Sequence, residues 1–472
     1  MQGSWPVMIG DIDIMEMRYR SVLRSCRTRL GFMVAVGLLI LMAPSGNVRA
    51  AEQGSPAASV QSTINAGDTA WVLMSAALVM LMTPALAFFY GGLVRRKNML
   101  SVLMQCLMIL CLTSLQWVAF GYSLSFGPDR GSLIGSLGWA FLRGVGMQPN
   151  ADYAATIPHQ AFMMFQMMFA VITPALIIGA FAERMKFSAL CVFTLLWATF
   201  VYDPVAHWIW GVGGFLRQWG MLDFAGGAVV HINAGMTALA AALVLGRRQG
   251  YPEGISPPHN LPFAVLGAGL LWFGWFGFNA GSALGSGALA ASAFMVTHIA
   301  GATAGVTWAL LDWMKHKKPT TLGMITGMIA GLAAVTPAAG FITPMAAICI
   351  GVGAGVVPWF TVTYVKSLLG YDDSLDAFGV HGVGGIWGVI ATGLFASKAV
   401  NPGGADGLLH GNPALLWIQV KAAAITIVYS FVVGVVLLKL VDAFLKVRVG
   451  EHEERVGLDL TMHREAAYTV ID

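Results

Sequence analysis

Apolar stretches of membrane-spanning length recur along this chain, separated by short polar segments. Eleven of them lie near residues 69–92, 100–126, 159–182, 187–210, 224–246, 261–281, 288–313, 321–339, 343–365, 379–396 and 414–445. A helix of roughly 20 residues crosses the hydrocarbon core of a bilayer and satisfies its own backbone hydrogen bonds there. The pattern therefore predicts an all-α polytopic membrane protein with eleven transmembrane helices.

Lysine and arginine residues are divided unequally between the two sets of loops. Those that follow odd-numbered spans are Arg95, Arg96, Lys97, Arg184, Lys186, Arg247, Arg248, Lys315, Lys317, Lys318, Lys366, Lys446, Arg448, Arg455 and Arg464. The other loops hold only Arg130, Arg143, Arg217 and Lys398. Cytoplasmic loops carry the excess of basic residues, so we expect the mature N-terminus outside the cell and the C-terminus in the cytoplasm.

The first fifty residues have the pattern of a targeting segment. A basic region, with Arg18, Arg20, Arg24, Arg27 and Arg29, precedes an apolar stretch at 31–43 and a cleavage-like sequence at 48–50. A retained anchor helix is the alternative. We expect an N-terminal extension with a cleavable signal peptide at 1–50, the eleven-helix domain at 51–446 and a cytoplasmic tail at 447–472.

The composition agrees with a membrane protein and narrows the function classes. Hydrophobic residues make up 57% of the chain and charged residues 11%, with a mean hydropathy of +0.72. Cys26 lies in the targeting segment and the other four cysteines lie in spans, so no disulfide framework is expected. The sequence contains no nucleic-acid patch, phosphate-binding loop or nucleophile–base pair. We therefore expect no cofactor, no metal and no enzymatic activity.

Two histidines lie within apolar spans, His231 in DFAGGAVVHINAG and His381 in DAFGVHGVGG. A titratable ring in hydrocarbon is costly and usually faces a pathway. His231 follows Asp223 by eight residues and His381 follows Asp376 by five, which places the rings about 12 Å and about 7.5 Å along helices of opposite direction. Both rings then approach the bilayer midplane, as in transporters built from inverted repeats, here of five helices each.

Each of these residues also has a structural interpretation. A single buried histidine is often hydrogen-bonded into helix packing, but two at matching depths favour a pathway with a relayed or shared proton. Asp223 is suited to a helix N-cap, or to stabilising a cation at the outer mouth. The aromatic residues near the outer ends of spans are Phe165, Phe169, Trp208, Trp210, Trp275 and Phe278. They fit either an interfacial belt or a cage of ring faces around a small cation.

Methionines beside two of those rings raise the possibility of metal transport. Met163, Met164, Met167 and Met168 include pairs four residues apart, and thioethers bind Cu(I). A copper permease is therefore one alternative. The chain has no Met-rich external loop to deliver the metal, and methionine is a common gap-filler in helix packing.

Long motifs in these segments closely resemble the ammonium transporter family, specifically its bacterial branch, from about Thr69 to Tyr468. The motifs are FYGGLVRRKNMLS (89–101), GAFAERMKFSA (179–189), LDFAGGAVVHINAG (222–235), PHNLP (258–262), GWFGFNAGSA (274–283), VTPAAG (335–340), DAFGVHGVGG (376–385) and EHEERVGLDL (451–460). The segment from Trp210 to Asp223 is a residue longer than the usual family pattern.

The resemblance implies a homotrimer in the bacterial inner membrane, with one pore per subunit and a PII-type nitrogen-signalling protein that binds at the cytoplasmic face. It also assigns roles to individual residues. Phe169, Trp210 and Ser282 would form the outer ammonium site, with Phe165 nearby and Asp223 as structural support. Phe169 and Phe278 would stack as a gate, and Trp275 would line the pore with His231 and His381.

Elementary energetics favours transport of a split ion. Ammonium resembles potassium in size and charge, but it can release a proton. Carrying the intact ion through hydrocarbon costs several kcal/mol, whereas deprotonating it near neutral pH costs roughly 3 kcal/mol. We therefore expect a channel-like transporter that binds ammonium, deprotonates it and conducts ammonia. An ammonium sensor that regulates nitrogen signalling is the other alternative.

Overall fold

The computed structural model describes residues 64–254 and 257–468, which form a helical bundle. Its helices are α1 Ala66–Leu93, α2 Arg96–Phe126, α3 His159–Phe181, α4 Phe187–Gln218, α5 Gly227–Leu245, α6 Leu261–Gly281, α7 Ala288–His316, α8 Thr321–Val335, α9 Pro344–Leu369, α10 Phe378–Phe395 and α11 Pro413–Leu445. Within α4, a turn at residues 211–214 separates the segment Phe215–Gln218 from the rest. The predicted signal peptide lies outside the described residues.

Ten of these helices are long and apolar enough to span a membrane, and α8 is a shorter apolar helix. The sequence predicts a span at 321–339, but α8 ends at Val335, before Pro337. Proline lacks an N–H group and disfavours a helical conformation in the preceding residue. The carbonyl of Pro337 instead accepts a hydrogen bond from the backbone of Phe224, 3.1 Å away. The segment after α8 is thereby joined to the segment before α5.

The bundle consists of two five-helix halves with matching packing. In the first half, α3 packs against both α1 and α5; in the second half, α8 packs against both α6 and α10. The halves meet where α1 packs on α6 and where α5 packs on α10. This arrangement confirms the predicted inverted repeat, and α11 covers it along α4, α5 and α10.

Small elements close the two ends of the bundle. An antiparallel hairpin of β1 Asp129–Arg130 and β2 Ile134–Gly135 follows α2, and a 3₁₀ turn follows at Leu137–Leu142. After α11, a short helix α12 at Glu451–Val456 leads to a π-helical turn at Asp459–His463. Both elements lie in the predicted tail.

The tail is hydrogen-bonded to the loops at its end of the bundle. The carboxylate of Asp459 accepts from the backbone N–H groups of Leu100 and Ser101, at 3.1 and 2.8 Å. The carboxylate of Glu454 accepts from the backbone N–H of Gln249 at 2.7 Å. Both acidic side chains are buried. The tail therefore fixes the start of α2 and the segment after α5.

A buried charge cluster ties together the loops after α1, α3, α5 and α9. Arg248 forms ion pairs with Asp372 at 2.8 Å and with Glu183 at 3.3 Å, and Arg95 contacts Glu183 at 2.9 Å. Burial opposes ionisation of the Asp372 carboxyl, but the hydrogen bonds and charge of Arg248 outweigh it and lower its pKa. The cluster surrounds one mouth of the bundle and holds its helix ends in register.

Candidate functional site

His231 and His381 meet at the centre of the bundle. Each ring lies in a π-helical turn at the start of its helix, Gly227–Ile232 in α5 and Phe378–Val383 in α10. π-Helical turns are rare and occur frequently at functional sites. The two ring centroids are 5.3 Å apart, and the ring planes differ by only 13°. The two halves of the repeat thus contribute one histidine each to a single stacked pair.

Asp223 holds the first of these turns in place. Its carboxylate accepts four hydrogen bonds from the backbone N–H groups of residues 226–229, at 2.6–3.2 Å. These are the N–H groups that a helix start leaves without intrahelical partners. The carboxylate is therefore directed into the backbone, and the structure places it as a helix cap rather than as a group that faces the aromatic cluster.

Asp373 plays the matching part for α10. The assignment of Asp376 as the counterpart of Asp223 is wrong, because Asp373 precedes His381 by the same eight residues and accepts from the backbone of Ala377 and Phe378, at 3.1 and 2.8 Å. Asp376 instead pairs with Lys366 at 2.6 Å and lines a cavity. The two capped turns therefore have the same register.

Glycines allow the two histidine turns to approach each other. A Cβ atom at Gly235 would overlap the backbone of Gly382, and one at Gly385 would lie 2.9 Å from the Cβ of His231. No other residue fits at Gly235 without moving the backbone of α10. Close contact between the helices is what brings the two rings into stacking distance.

Apolar rings enclose the histidine pair. The ring of Trp275 stacks on His231 at 5.5 Å, and Phe278 follows at 6.1 Å. Trp275 donates its own N–H to the hydroxyl of Thr336 at 3.0 Å, which fixes the indole. Within the described residues, three ring nitrogens of the pair have no hydrogen-bond partner. They are Nδ1 and Nε2 of His231 and Nδ1 of His381. Buried polar groups are normally paired, so these nitrogens keep a free capacity for hydrogen bonding.

An aromatic cluster lies on the His231 side of the pair. Phe169 and Phe278 have centroids 4.3 Å apart and are both almost fully buried. Phe169 also meets the edge of Trp210 at 5.7 Å and of Phe165 at 4.9 Å. Their ring planes are inclined by 41°, so the two rings are tilted against each other rather than stacked in parallel, and they lie between Trp210 and the histidines.

A cavity of about 180 Å³ opens beyond this cluster; we call it the Trp210 cavity. It is lined by Phe126, Asp152, Tyr153, Phe162, Gln166, Phe169, Trp210, Arg217, Phe224, Ser282 and Leu284. The indole N–H of Trp210 donates to the carbonyl of Asp223 at 2.8 Å, and the hydroxyl of Ser282 donates to the carbonyl of Phe278 at 2.9 Å. The cavity thus presents ring faces and a hydroxyl oxygen that can still accept a hydrogen bond.

A second cavity, of about 370 Å³, opens at the opposite end of the bundle; we call it the Arg248 cavity. Its polar lining includes Arg95, Glu183, Arg248, Asp312, His316, Ser374 and Asp376. Its apolar floor reaches Val380 and His381. The two cavities approach the histidine pair from opposite sides, and the Phe169–Phe278 pair lies between the Trp210 cavity and His231.

The structure brings together most of the residues singled out from sequence. Phe169, Trp210 and Ser282 share the Trp210 cavity, whereas Phe165 is fully buried behind Phe169 and does not line it. Sequence reasoning missed Tyr153 and Gln166, which lie in the same cavity without a distinctive motif. It also missed Asp373, although the repeated spacing of eight residues was a sufficient signal.

The four methionines do not share one environment. Met163, Met167 and Met168 are buried in helix packing, whereas Met164 is 38% exposed. None of the four lines the Trp210 cavity. Their arrangement is that of side chains that fill gaps between helices.

Comparisons with known proteins point to one family. The profile of the Ammonium Transporter Family matches residues 70–468. An ammonium transporter of Bacillus subtilis (strain 168) is 54% identical over 402 residues, which cover 85% of this chain and 98% of that protein. Among solved structures, Saccharomyces cerevisiae Mep2 superposes with a TM-score of 0.78 at 35% identity, covering 84% of this chain and 90% of that one.

A structure described as a sensor Amt protein is also similar. It superposes with a TM-score of 0.77 at 31% identity and covers 84% of this chain and 98% of its own. The fold is therefore common to proteins described as transporters and to one described as a sensor.

Proposed function

Because the chain belongs to the ammonium transporter family and is an ammonium transporter, we propose a specific route for its substrate. Ammonium binds in the Trp210 cavity, releases its proton to the aqueous solution at the cavity mouth, and passes Phe169 and Phe278 and then His231 and His381 as ammonia. It then leaves through the Arg248 cavity.

The proposed binding site combines ring faces with a hydroxyl. The ring faces of Phe169 and Trp210 attract a cation through their quadrupoles, and Ser282 accepts a hydrogen bond from it. The indole N–H of Trp210 is already engaged with the carbonyl of Asp223, so the indole offers its face rather than its donor. Asp223 supports the site through its backbone and through the cap of α5.

The histidine pair is the observation that carries the proposal. Its nitrogens lie among buried aromatic rings, and a neutral imidazole can both donate to and accept from an ammonia molecule. Among the described residues, the ring neighbours of the pair are Trp275 and Phe278 rather than carboxylates, so an intact ion there has no charged group to replace its hydration shell. Deprotonation is within reach energetically, because it costs roughly 3 kcal/mol near neutral pH. Potassium has no proton to release and is therefore excluded.

The test is the discrimination between two ions of similar size. Proteoliposomes that contain the purified protein are exposed to ammonium or to potassium gradients, and charge movement and internal pH are recorded together. We expect a saturable response to ammonium and none to potassium. Potassium conduction at a rate comparable to that of ammonium would contradict the proposed splitting of the ion.

We propose that the Trp210 cavity faces the outside of the cell and that the protein lies in the bacterial inner membrane. The unequal distribution of basic residues supports this orientation, because the Arg248 cavity is surrounded by the Lys- and Arg-rich loops. On this orientation the tail is cytoplasmic. Labelling of an engineered cysteine at Gly411, which is in a loop at the Trp210 end, would test it in intact cells.

We also propose a homotrimer. Support comes from His298, which is exposed near the middle of α7 beside the ring of Trp272, 5.1 Å away. A polar ring at that depth is costly against lipid and is better covered by another subunit. The mass of the detergent-solubilised protein, corrected for bound detergent, tests this assembly.

A PII-type signalling protein is the proposed cytoplasmic partner. The Arg248 cavity is wide and carries both signs of charge at its rim, which suits a protein loop that enters it. The packed tail lies beside the same loops. Co-purification of a PII protein with the transporter, and inhibition of flux by it, test this partner.

The alternatives have less support. The sensor alternative rests on one similar structure, whereas the matching family profile and the Bacillus subtilis relative are described as transporters. A copper permease needs its ligands in one site, whereas Met164 is exposed and the other three methionines are buried in helix packing. Uptake of copper into vesicles by the wild type, lost when all four methionines are replaced by leucine, would support the copper alternative.

A further inference from the structure

The Trp210 cavity contains a cation of the protein itself, the guanidinium of Arg217. This side chain lines the same cavity as Phe169, Trp210 and Ser282. One of its terminal nitrogens donates a hydrogen bond to the backbone carbonyl of Trp210. Its central carbon lies 6.0 Å from the centroid of the Tyr153 ring. A positive charge is unexpected in a cavity that is proposed to collect a positive ion.

Both contacts of Arg217 are with groups that are themselves fixed. The hydroxyl of Tyr153 donates to the carbonyl of Phe126 at 2.7 Å and accepts from the backbone of Val212 at 3.0 Å. Trp210 is held through its indole N–H on the carbonyl of Asp223. The side chain of Arg217 is exposed to solvent. Because both of its contacts are with fixed groups, its guanidinium nevertheless has a defined position at the mouth of the cavity.

The backbone that carries Arg217 is also anchored. It lies on the short helical segment Phe215–Gln218, after the turn at residues 211–214. The backbone N–H of Phe215 donates to the carbonyl of Ser132 at 3.2 Å, and the side chain of Gln218 donates to the carbonyl of Gly213 at 2.7 Å. This segment cannot swing freely away from the cavity, so the charge of Arg217 stays near the mouth.

The charge of Arg217 is not cancelled by a contact. Among the described residues, it forms no ion pair with a carboxylate. Asp223 directs its carboxylate into the backbone of residues 226–229. Asp152 is the one carboxylate among the residues that line the cavity, and its negative charge at the rim attracts cations. Arg217 is nevertheless the charge in direct contact with Trp210.

We propose that Arg217 is a resident cation that sets the affinity and the ion selectivity of the Trp210 cavity. Its guanidinium donates to the carbonyl of Trp210 and lies near the ring of Tyr153, so these two groups are less available to an incoming cation. Its positive charge also repels that cation electrostatically. A divalent ion is repelled twice as strongly as ammonium, so the residue also excludes divalent cations. This inference rests on the proposed ammonium site at Phe169, Trp210 and Ser282.

The central experiment compares Arg217→Gln with Arg217→Lys in proteoliposomes. Glutamine retains a donor for the carbonyl of Trp210 but removes the charge, and lysine keeps the charge. We expect Arg217→Gln to lower the half-saturating ammonium concentration about two- to fivefold at low ionic strength, the range typical of an exposed charge pair. Arg217→Lys should stay close to the wild type. Arg143→Gln is the matched control, since Arg143 is an exposed arginine at the same end that does not line the cavity.

Ionic strength supplies a second measurement that needs no substitution. Salt screens repulsion between the guanidinium and ammonium, so an impermeant organic salt should lower the half-saturating concentration of the wild type. The same salt should have little effect on Arg217→Gln. Inhibition by magnesium should be stronger in Arg217→Gln than in the wild type.

The results separate this inference from the proposed site. An unchanged or raised half-saturating concentration in a folded Arg217→Gln variant would show that Arg217 only supports Trp210, and the inference would be wrong. An unchanged half-saturating concentration in Trp210→Leu would instead remove the proposed site itself. If Arg217→Gln fails to fold, the absence of the predicted salt effect in the wild type would overturn the inference.

Discussion

Asp223 and Asp373 cap the two pore helices in the same register, although the helices run in opposite directions. Each carboxylate precedes its histidine by eight residues and accepts backbone hydrogen bonds at the start of a π-helical turn. The position of each histidine ring is therefore set by a local contact and by the packing of α5 on α10. Each half of the repeat therefore contains an aspartate cap at the same distance from its histidine.

The two caps should differ in strength. Asp223 accepts four backbone hydrogen bonds and Asp373 accepts two, so Asp223→Ala should lower the thermal unfolding temperature in detergent more than Asp373→Ala does. Loss of a cap typically costs about 0.5–2 kcal/mol. Glu253→Ala, in an exposed loop, is the control. Equal unfolding temperatures for the two variants would contradict the assigned roles.

Most of the fold follows from the sequence, because long apolar stretches in lipid must become helices. The exception is α8, which ends at Val335 because Pro337 follows. The apolar pattern continues past this proline and therefore does not show where the helix ends. The pairing of His231 with His381 could also be predicted, because both rings lie near the bilayer midplane on helices that run in opposite directions. The partner of Asp223 was misassigned because Asp376 is closer to the predicted span than Asp373 is.

The details of the Trp210 cavity were less accessible. Arg217 lies on the short helical segment Phe215–Gln218 and Tyr153 lies in the loop before α3, and nothing in their local sequence indicates that they meet. Thr336, which fixes Trp275, lies 61 residues away in the chain. Such contacts depend on how separate loops and helices pack, and a single sequence carries no signal for them.

The contact between the histidine turns should not tolerate a larger residue at Gly235. Its missing Cβ faces the backbone of Gly382, so Gly235→Ala should push α10 away from α5. Overpacking of this kind costs about 1–3 kcal/mol. We expect lower ammonium flux per folded protein. Gly269→Ala in α6, which has open space at its Cβ position, should behave as the wild type. Normal flux in Gly235→Ala would show that ring spacing is not critical.

Trp210 should contribute to cation affinity. Trp210→Leu removes the ring face beside Phe169 but keeps an apolar side chain. A cation–π contact is worth about 0.5–2 kcal/mol, so the half-saturating concentration for methylammonium should rise about two- to thirtyfold. Trp219→Leu, at an exposed tryptophan outside the cavity lining, is the control. Unchanged affinity, flux and selectivity in folded Trp210→Leu would remove this residue from the site.

The tail should be needed for full activity. Truncation after Val449 removes the contacts of Glu454 and Asp459 with the loops around the Arg248 cavity, but it leaves α1–α11 intact. We expect a folded protein with lower flux or weaker inhibition by a PII protein. Asp459→Ala should show a milder form of the same defect, and Glu451→Ala, at an exposed position, should not. Wild-type flux and inhibition in the truncated protein would make the tail passive.

Exclusion of potassium should depend on the histidine pair more than on the aromatic cluster. His231→Asp with His381→Glu places carboxylates where an intact cation is least hydrated. A carboxylate stabilises a passing cation, so this double variant should retain some conduction but admit potassium. Potassium current and the change of internal pH driven by ammonium are measured in the same proteoliposomes, and oligomeric assembly is checked by size-exclusion chromatography.

The single substitution His381→Ala separates charge from geometry. It breaks the pair without adding a carboxylate, so flux should fall while potassium remains excluded. The ring of Trp275 still covers His231 at 5.5 Å, and the passage therefore stays apolar. If the folded acidic double variant rejected potassium as the wild type does, discrimination would reside elsewhere. The Phe169–Phe278 pair would then be the element to test, because its two tilted rings lie between the Trp210 cavity and His231.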